Sequence, residues 1–365
     1  MLLGLGKILT FKKASPPKFL YITGAFTTAN GVTVNRIAKW DGTNFVSLGT
    51  GLNSGTCYAL ASDNDGNIYV GGNFTNAGGV TANRIAKWNT TSETWSALGT
   101  GMNNYVTGIT VDSSGNVYAA GLFTNAGGVA ANRIAKWNGT GWSALGTGLN
   151  NFAYDVTLDS SGNLIVGGVF TTAGGLSANR VAKWNTTSET WSALGAGVNS
   201  TVLRVKSDPS SGNVHIVGAF TSTGALLANR YTYWDGTQLA GVSSGAYGIA
   251  VGSTRYDLAL HPTFGENYMY AVGLPTFGNG YTNLWEGNDA PNPSTNETFE
   301  TDPHGSMNNT VWCCELDSND DFYIGGVFTT ANGVTVNRVA KWNGSSWVAF
   351  GTGLNNLCRR MLLAP

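Results

Sequence analysis

Short runs of alternating apolar and polar residues recur along the chain, four to a unit. In one unit they read VTGITVD from Val106, then VYAAGLFT, then NRIAKWN, then WSALG from Trp142. Val, Ile, Tyr, Trp and Thr enrich the runs, while Gly, Asn, Ser and Asp separate them, which predicts short β-strands joined by turns. No stretch carries a helical period of useful length. The segment GGNFTNAGGVTANRIAKWN begins at Gly71, with near copies at Thr23, Ala120, Gly167 and Gly325 and a diverged copy at Val217. The tryptophans closing the third run are Trp40, Trp88, Trp137, Trp184, Trp234 and Trp342, and Trp285 marks an eroded copy between the last two. Their spacing is about 50 residues, a period that belongs to propellers and solenoids. Four strands per period is the blade of a propeller.

The Asp-Ser-Ser-Gly-Asn turn at Asp112 and Asp159, lengthened by Pro209 at Asp208, closes the first strand onto the second. Its Asp can accept backbone hydrogen bonds and its Gly can take a positive φ. Variants run from Asp63 to Asn67 and from Asp317 to Asp321. The N-terminal unit has its second, third and fourth strands but no first. The terminal NNLCRRMLLAP aligns with NNFAYDVTLDS of the fourth unit. We therefore expect an all-β, seven-bladed β-propeller over residues 19–365, with four antiparallel strands per blade. The C-terminal strand should complete the first blade, which removes free sheet edges. Residues 1–18 are expected to form an N-terminal extension.

Composition narrows the function classes. Charged residues make up 11% of the chain and the formal net charge is −1, so no basic track offers itself to a phosphate backbone and nucleic-acid binding is not expected. No apolar run reaches the roughly 20 residues of a membrane span. The opening MLLGLGKILTFKKASPP has the look of a secretory signal, yet Lys7, Lys12 and Lys13 fall within and after its apolar stretch, the wrong order for one. Cys57, Cys313, Cys314 and Cys358 make neither a dense disulfide framework nor a zinc pattern. They read as buried free thiols clustered near the channel.

The consensus GGxFTxAGGxxANRIAKWxGxxWSALGxG resembles β-propeller repeats of bacterial cell-surface proteins and tailed-phage structural proteins, similar in style to kelch and NHL repeats. The resemblance covers residues 19–365. It implies the fold and leaves function open, because propellers host many functions. The GLG-containing stub also looks like the short leaders of some phage virion proteins.

Several constellations carry a structural and a functional reading. The Asn-Arg pairs at Arg36, Arg84, Arg133, Arg180, Arg230 and Arg338 could ring an anionic ligand. Their presence in nearly every unit favours a structural task, spanning to the adjacent blade to bond carbonyls or stack on an aromatic ring. The matching lysines, from Lys39 to Lys341, should lay their stems over apolar surface. The third-strand tryptophans read as wedge filling between blades. The second set, Trp95, Trp142, Trp191 and Trp347, falls on outermost strands and is put forward as partner-facing. Asp63 to Asn67 resembles a fragment of a calcium loop but lacks the downstream Glu and occupies an ordinary turn position. Asp boxes of the sialidase type, a phosphate loop and a nucleophile elbow are missing, and no carboxylate pair suits glycoside hydrolysis.

The irregular sixth unit stands apart. From Leu274 to Asn309 the repeat dissolves into a long connection, and long loops on a rigid scaffold are usually functional or disordered. Trp285, Asp289, Glu297, Glu300 and Asp302 are the candidate binding residues here. In the N-terminal extension, Leu2, Leu3, Leu5, Lys7, Ile8, Leu9, Phe11, Lys12 and Lys13 are the candidate anchor, followed by Pro16-Pro17. The resulting expectation is a non-enzymatic structural and binding propeller without cofactor or metal. It would be a virion component (decoration, fibre or tail adaptor) that contacts other virion or surface proteins through the N-terminal arm. The alternatives are a bacterial surface adhesin that binds host glycans, placed extracellularly, and a diverged propeller enzyme.

Overall fold

The computed structural model describes residues 19–228, 230–240, 254–261, 265–273 and 305–364. The strands of the second blade are Cys57–Ser62, Ile68–Gly72, Ile85–Asn89 and Thr94–Ala97, in that order from channel to rim. The third blade, Val106–Val111 to Trp142–Ala144, and the fourth, Ala153–Leu158 to Thr190–Ala193, repeat this meander. The sixth runs from Val311–Leu316 to Trp347–Ala349. In the first blade Phe19–Gly24 pairs on one side with Ile37–Trp40 and on the other with the C-terminal strand Cys358–Ala364, in register from Phe19↔Ala364 to Gly24↔Cys358. The two ends of the described chain are thereby laced into one sheet, as the alignment of the terminal repeat anticipates.

The seven four-stranded blades expected from sequence are corrected to six. Among the described residues four-stranded sheets are five, and the fifth blade in chain order shows three strands, Val202–Ser207, Val214–Gly218 and Tyr231–Trp234, followed by a single Trp234↔Leu239 bridge. Between the fifth and sixth blades the described residues contribute only a two-stranded hairpin, Arg255–His261 with Gly265–Gly273. The physical reason lies in the repeat itself. The third strand of a blade is marked by an Asn-Arg pair leading to a tryptophan, and the fourth by Trp-Ser-Ala-Leu-Gly or a close variant such as Phe-Val-Ser-Leu-Gly. Residues 241–304 carry neither, so one tryptophan at the right spacing is a poor marker of a blade. Neighbouring inner strands form a closed circuit that passes through this hairpin.

Each wedge between blades holds its own apolar cluster. One gathers Ile85, Leu98, Met102, Val106, Val117, Phe123 and Trp142. The Gly-rich connection between second and third strands is not a plain loop but a two-residue hairpin, such as Asn125–Ala126 with Val129–Ala130. Its first glycine is required by the tryptophan beneath: a Cβ on Gly127, at φ +59°, would lie 2.6 Å from Trp142 Cδ1.

Clips link successive blades. Asn53 Oδ1 accepts from the amides of Thr75 and Asn76 while its Nδ2 donates to Thr75 Oγ1. Asn103, Asn150, Asn199 and Asn308 do the same. Asn355 repeats the clip across the chain ends, accepting from Thr27 and Thr28 at 2.9 and 3.0 Å. Closure therefore uses the same local chemistry as every internal joint. The Asp turns behave as the sequence predicts: Asp112 Oδ1 accepts from the Ser114 and Asn116 amides and its Oδ2 from Asn116 Nδ2 and Tyr118 Oη.

Candidate functional site

The residues read from sequence as structural are placed as such. Arg36 crosses to the connection that enters the next blade, donating from Nη1 to the Leu52 carbonyl and from Nε to that of Gly55. Arg84, Arg180 and Arg338 make the same crossing to Met102, Val198 and Leu354, and Arg133 stacks on Phe152. All six arginines of the series sit at positive φ, from +65° to +75°, a region that non-glycine residues enter only when the surroundings hold them there. Lys39, Lys87 and Lys136 lie over Phe19, Tyr69 and Tyr118.

The outer tryptophans are a correction. Trp95, Trp142, Trp191 and Trp347 are 4–7% exposed. Trp95, Trp142 and Trp191 donate from Nε1 to Leu48, Leu98 and Leu145 of the preceding blade. Each also packs at a tilt on the third-strand tryptophan of its own blade, Trp88, Trp137 or Trp184. Strand order suggests a solvent-facing ring, but the neighbouring blade covers the inner side of the outermost strand, so these rings offer no stacking surface. Trp285, Asp289, Glu297, Glu300 and Asp302 lie outside the described residues, as do Leu2, Leu3, Leu5, Lys7, Ile8, Leu9, Phe11, Lys12 and Lys13.

The channel wall, where sequence reading places only the cysteines, carries the chemistry. Every described inner strand of the circuit has a β-bulge near its start: between Cys57 and Ala59, Val106 and Gly108, Ala153 and Asp155, Val202 and Arg204, Arg255 and Asp257, and Val311 and Cys313. The C-terminal strand has its counterpart between Cys358 and Arg360. A bulge leaves one residue unpaired and re-aims its neighbours. The residue following each bulge stands at one level of the wall, and there the repeat breaks. Ala59, Gly108 and Cys313 are small, whereas Asp155, Arg204, Asp257 and Arg360 are charged.

These four form one network. Arg204 bonds Asp257 through Nε at 2.6 Å and Asp155 through Nη1 at 3.3 Å. Arg360 reaches Asp155 Oδ1 through Nη2 at 3.1 Å, passing the two strands whose residues at this level are Ala59 and Gly108. Asp155 also accepts from the Val205 amide, and Asp257 from the Leu258 amide. Two carboxylates face two guanidiniums, so the set is neutral. Farther along the strands Lys206 pairs with Glu315 at 3.1 Å and donates to the Leu258 carbonyl. Burial lifts the Asp155 and Glu315 carboxyls above the ordinary range, with Arg204 and Lys206 respectively opposing it. Burial also works against the charge on Arg204 and Lys206, and their carboxylate partners overcome it, so both are raised. Groups locked in this way hold the wall together.

The bulge residues themselves are half-buried and differ from blade to blade. Tyr58, Tyr154, Tyr256 and Trp312 supply rings, and Arg359 supplies a cation. Arg359 lies with its guanidinium carbon 4.1 Å from the Trp312 ring centre and 5.9 Å from that of Tyr58. Tyr58 continues to the exposed Tyr105 at 6.0 Å, and Trp312 to Tyr256 at 6.5 Å. A cation flanked by rings thus spans successive inner strands. Burial depresses the Arg359 guanidinium below its ordinary value, the opposite of Arg204.

The four cysteines are free and buried. Cys313 and Cys358 meet on adjacent inner strands at 3.8 Å between sulfurs, and burial pushes the Cys57 thiol up to about 12. Among the described residues no group of three or more His, Cys, Asp or Glu could hold a metal ion. At Asp63 both carboxylate oxygens are taken by the turn, through Asn67 and Tyr69, which explains why a calcium-like string of residues is an ordinary turn. Among the described residues no helix is long and apolar enough to cross a membrane.

A family profile described as a beta-propeller domain of unknown function (DUF5122) matches residues 64–92, the stretch from the Asp turn of the second blade through its third strand. No curated protein matches the chain. The profile match and the sheets together make this a β-propeller repeat protein.

Proposed function

We propose that the chain is a non-enzymatic binding and structural propeller, a virion component that docks protein through one face of its ring. One observation carries this reading. The short hairpins between second and third strands present an exposed apolar side chain at the same position in all six blades: Val32, Val80, Val129, Leu176, Leu226 and Val334, from 38% to 53% exposed. All six connections leave the sheets at the same end, so the side chains crown one face. Single exposed apolar residues need no explanation, but a repeated array on one face marks a contact surface. A nearly neutral chain with few charges fits a protein held in an assembly. In this reading residues 1–18 serve as a second contact, an apolar and basic arm.

The test is incorporation. Wild-type chain should be found by antibody labelling on the native particle, and Leu176→Asp with Leu226→Asp should abolish its incorporation without lowering the melting midpoint. A double variant that incorporates normally, or a chain absent from particles, overturns the reading.

A further inference from the structure

The channel wall contains cations of two kinds. Arg204, Lys206 and Arg360 each meet a carboxylate within 3.3 Å. Arg359 meets none among the described residues and has only aromatic rings beside it, Trp312 at 4.1 Å and Tyr58 at 5.9 Å. A half-buried guanidinium without a counter-ion is costly, and the ring that pairs Arg204, Lys206 and Arg360 has left this one open. Its position is equally particular. Arg359 is the extra residue of the bulge, unpaired in the strand ladder, whereas the next residue, Arg360, is spent on Asp155.

We propose that Arg359, with Tyr58 and Trp312, forms a site at the channel mouth for a carboxylate carried on a ring. The guanidinium presents paired N–H donors that match the two oxygens of a carboxylate. The flanking rings offer apolar faces to the body of the ligand, and Tyr58 and Tyr256 add hydroxyls at the rim. A phosphate dianion is a worse fit, because a single cation serves this position and the neighbouring charges are already neutralised. The site lies on unrepeated positions of the inner strands. It is separate from the apolar crown, and its failure would leave the docking role of the crown standing.

The full chain is titrated calorimetrically with glucuronate and benzoate, each beside a neutral counterpart, glucose and benzyl alcohol, and with glucose 6-phosphate. Saturable binding of at least one carboxylate, with its neutral counterpart at least tenfold weaker, is expected. Arg359→Gln should weaken that binding at least tenfold, and Trp312→Phe, which keeps the charge, severalfold. Lys183→Gln, on a third strand away from the channel, should leave it unchanged. Melting midpoints of all variants establish that they are folded, and if Arg359→Gln is not, Arg359→Lys and Trp312→Phe carry the comparison. Absence of saturation by either carboxylate at tens of millimolar, affinity indifferent to Arg359 and Trp312, or tighter binding of the phosphate overturns the proposal.

Discussion

The outer strands of each blade and the channel wall are built on opposite rules. Among the outer strands a single solution is copied: an arginine at positive φ bonds the next blade, and a tryptophan donates to the previous one. At the wall, equivalent positions differ around the circuit, from Ala59 and Gly108 to Asp155, Arg204, Asp257, Cys313 and Arg360. Copied interactions solve a problem every blade has, namely covering its neighbour. Unrepeated ones solve a problem the ring has once, closing or furnishing its single axis. Individuality in this molecule is therefore concentrated on the inner strands rather than on the rim.

The sharpest test of this contrast is substitution at equivalent positions. Trp95→Ala, Trp142→Ala and Trp191→Ala should each cost about 3–5 kcal/mol of stability, and the three values in denaturant titrations should agree within about 1 kcal/mol, as copies must. Widely scattered values would show that the blades are not energetically equivalent. At the bulge level the values should diverge. Asp155→Ala leaves Arg360 without a carboxylate and Arg204 with Asp257 alone, and is expected to cost about 3–5 kcal/mol, while Ala59→Ser, at the same level two strands away, should cost less than about 1 kcal/mol. Equal effects at the two sites would dissolve the distinction.

The fifth blade offers a pH test between these extremes. Where the second and third blades have Tyr69 and Tyr118, it has His215, buried, with Nδ1 2.8 Å from Tyr231 Oη and Nε2 without a partner among the described residues. Burial lowers this imidazole to about 4, against opposition from Asp208 and with help from Lys206. The folded protein thus refuses a proton that the unfolded chain accepts near pH 6.5. The stability tied to neutral His215 is complete above that pH and is lost as pH falls toward 4, a loss of roughly 3 kcal/mol. His215→Phe should flatten the fall in melting midpoint between pH 6.5 and 4; an unchanged profile would place the titration elsewhere.

The smallest expected effect is on the arginine crossings. Arg180→Ala removes the bond to Val198 and should cost about 1.5–3 kcal/mol. Arg180→Gly loses the same bond but relieves the φ of +65°, so it should be about 0.5–1 kcal/mol less damaging. If alanine is tolerated as well as glycine, the backbone there is not held under strain.

Much of the repeat is legible in the sequence because its physics is local. The Asp turn, the strand alternation, the Asn-Arg pair and the wedge tryptophan each act within a few residues or on an identical neighbour. The C-terminal strand is found by aligning NNLCRRM with NNFAYDV, a match in the same clip and bulge. Two readings fail for lack of such support. Trp285 suggests a blade by its spacing, although the sequence around it lacks the Asn-Arg and Trp-Ser-Ala-Leu-Gly runs of the other units. Strand order makes the outer tryptophans look exposed, yet strand order does not say what the adjacent blade covers. The wall is invisible from sequence: Asp155 and Arg360 are 205 residues apart, and nothing local to either announces the other. The one available signal is charge itself, since Asp155, Arg204, Arg359 and Arg360 stand where aligned units have Ala, Gly, Tyr or Thr.

The amino-acid order by itself determined that this chain is a ring of four-stranded units and how each unit joins the next, because those interactions recur at fixed spacing and need no knowledge of the whole. Only the tertiary structure decided how many units are complete, which tryptophans are covered, and that Arg359 stands among rings while Arg204 and Arg360 are paired. Those outcomes depend on which distant residues the closed circuit brings across its axis, and distances across an axis are set by closure rather than by neighbours in sequence.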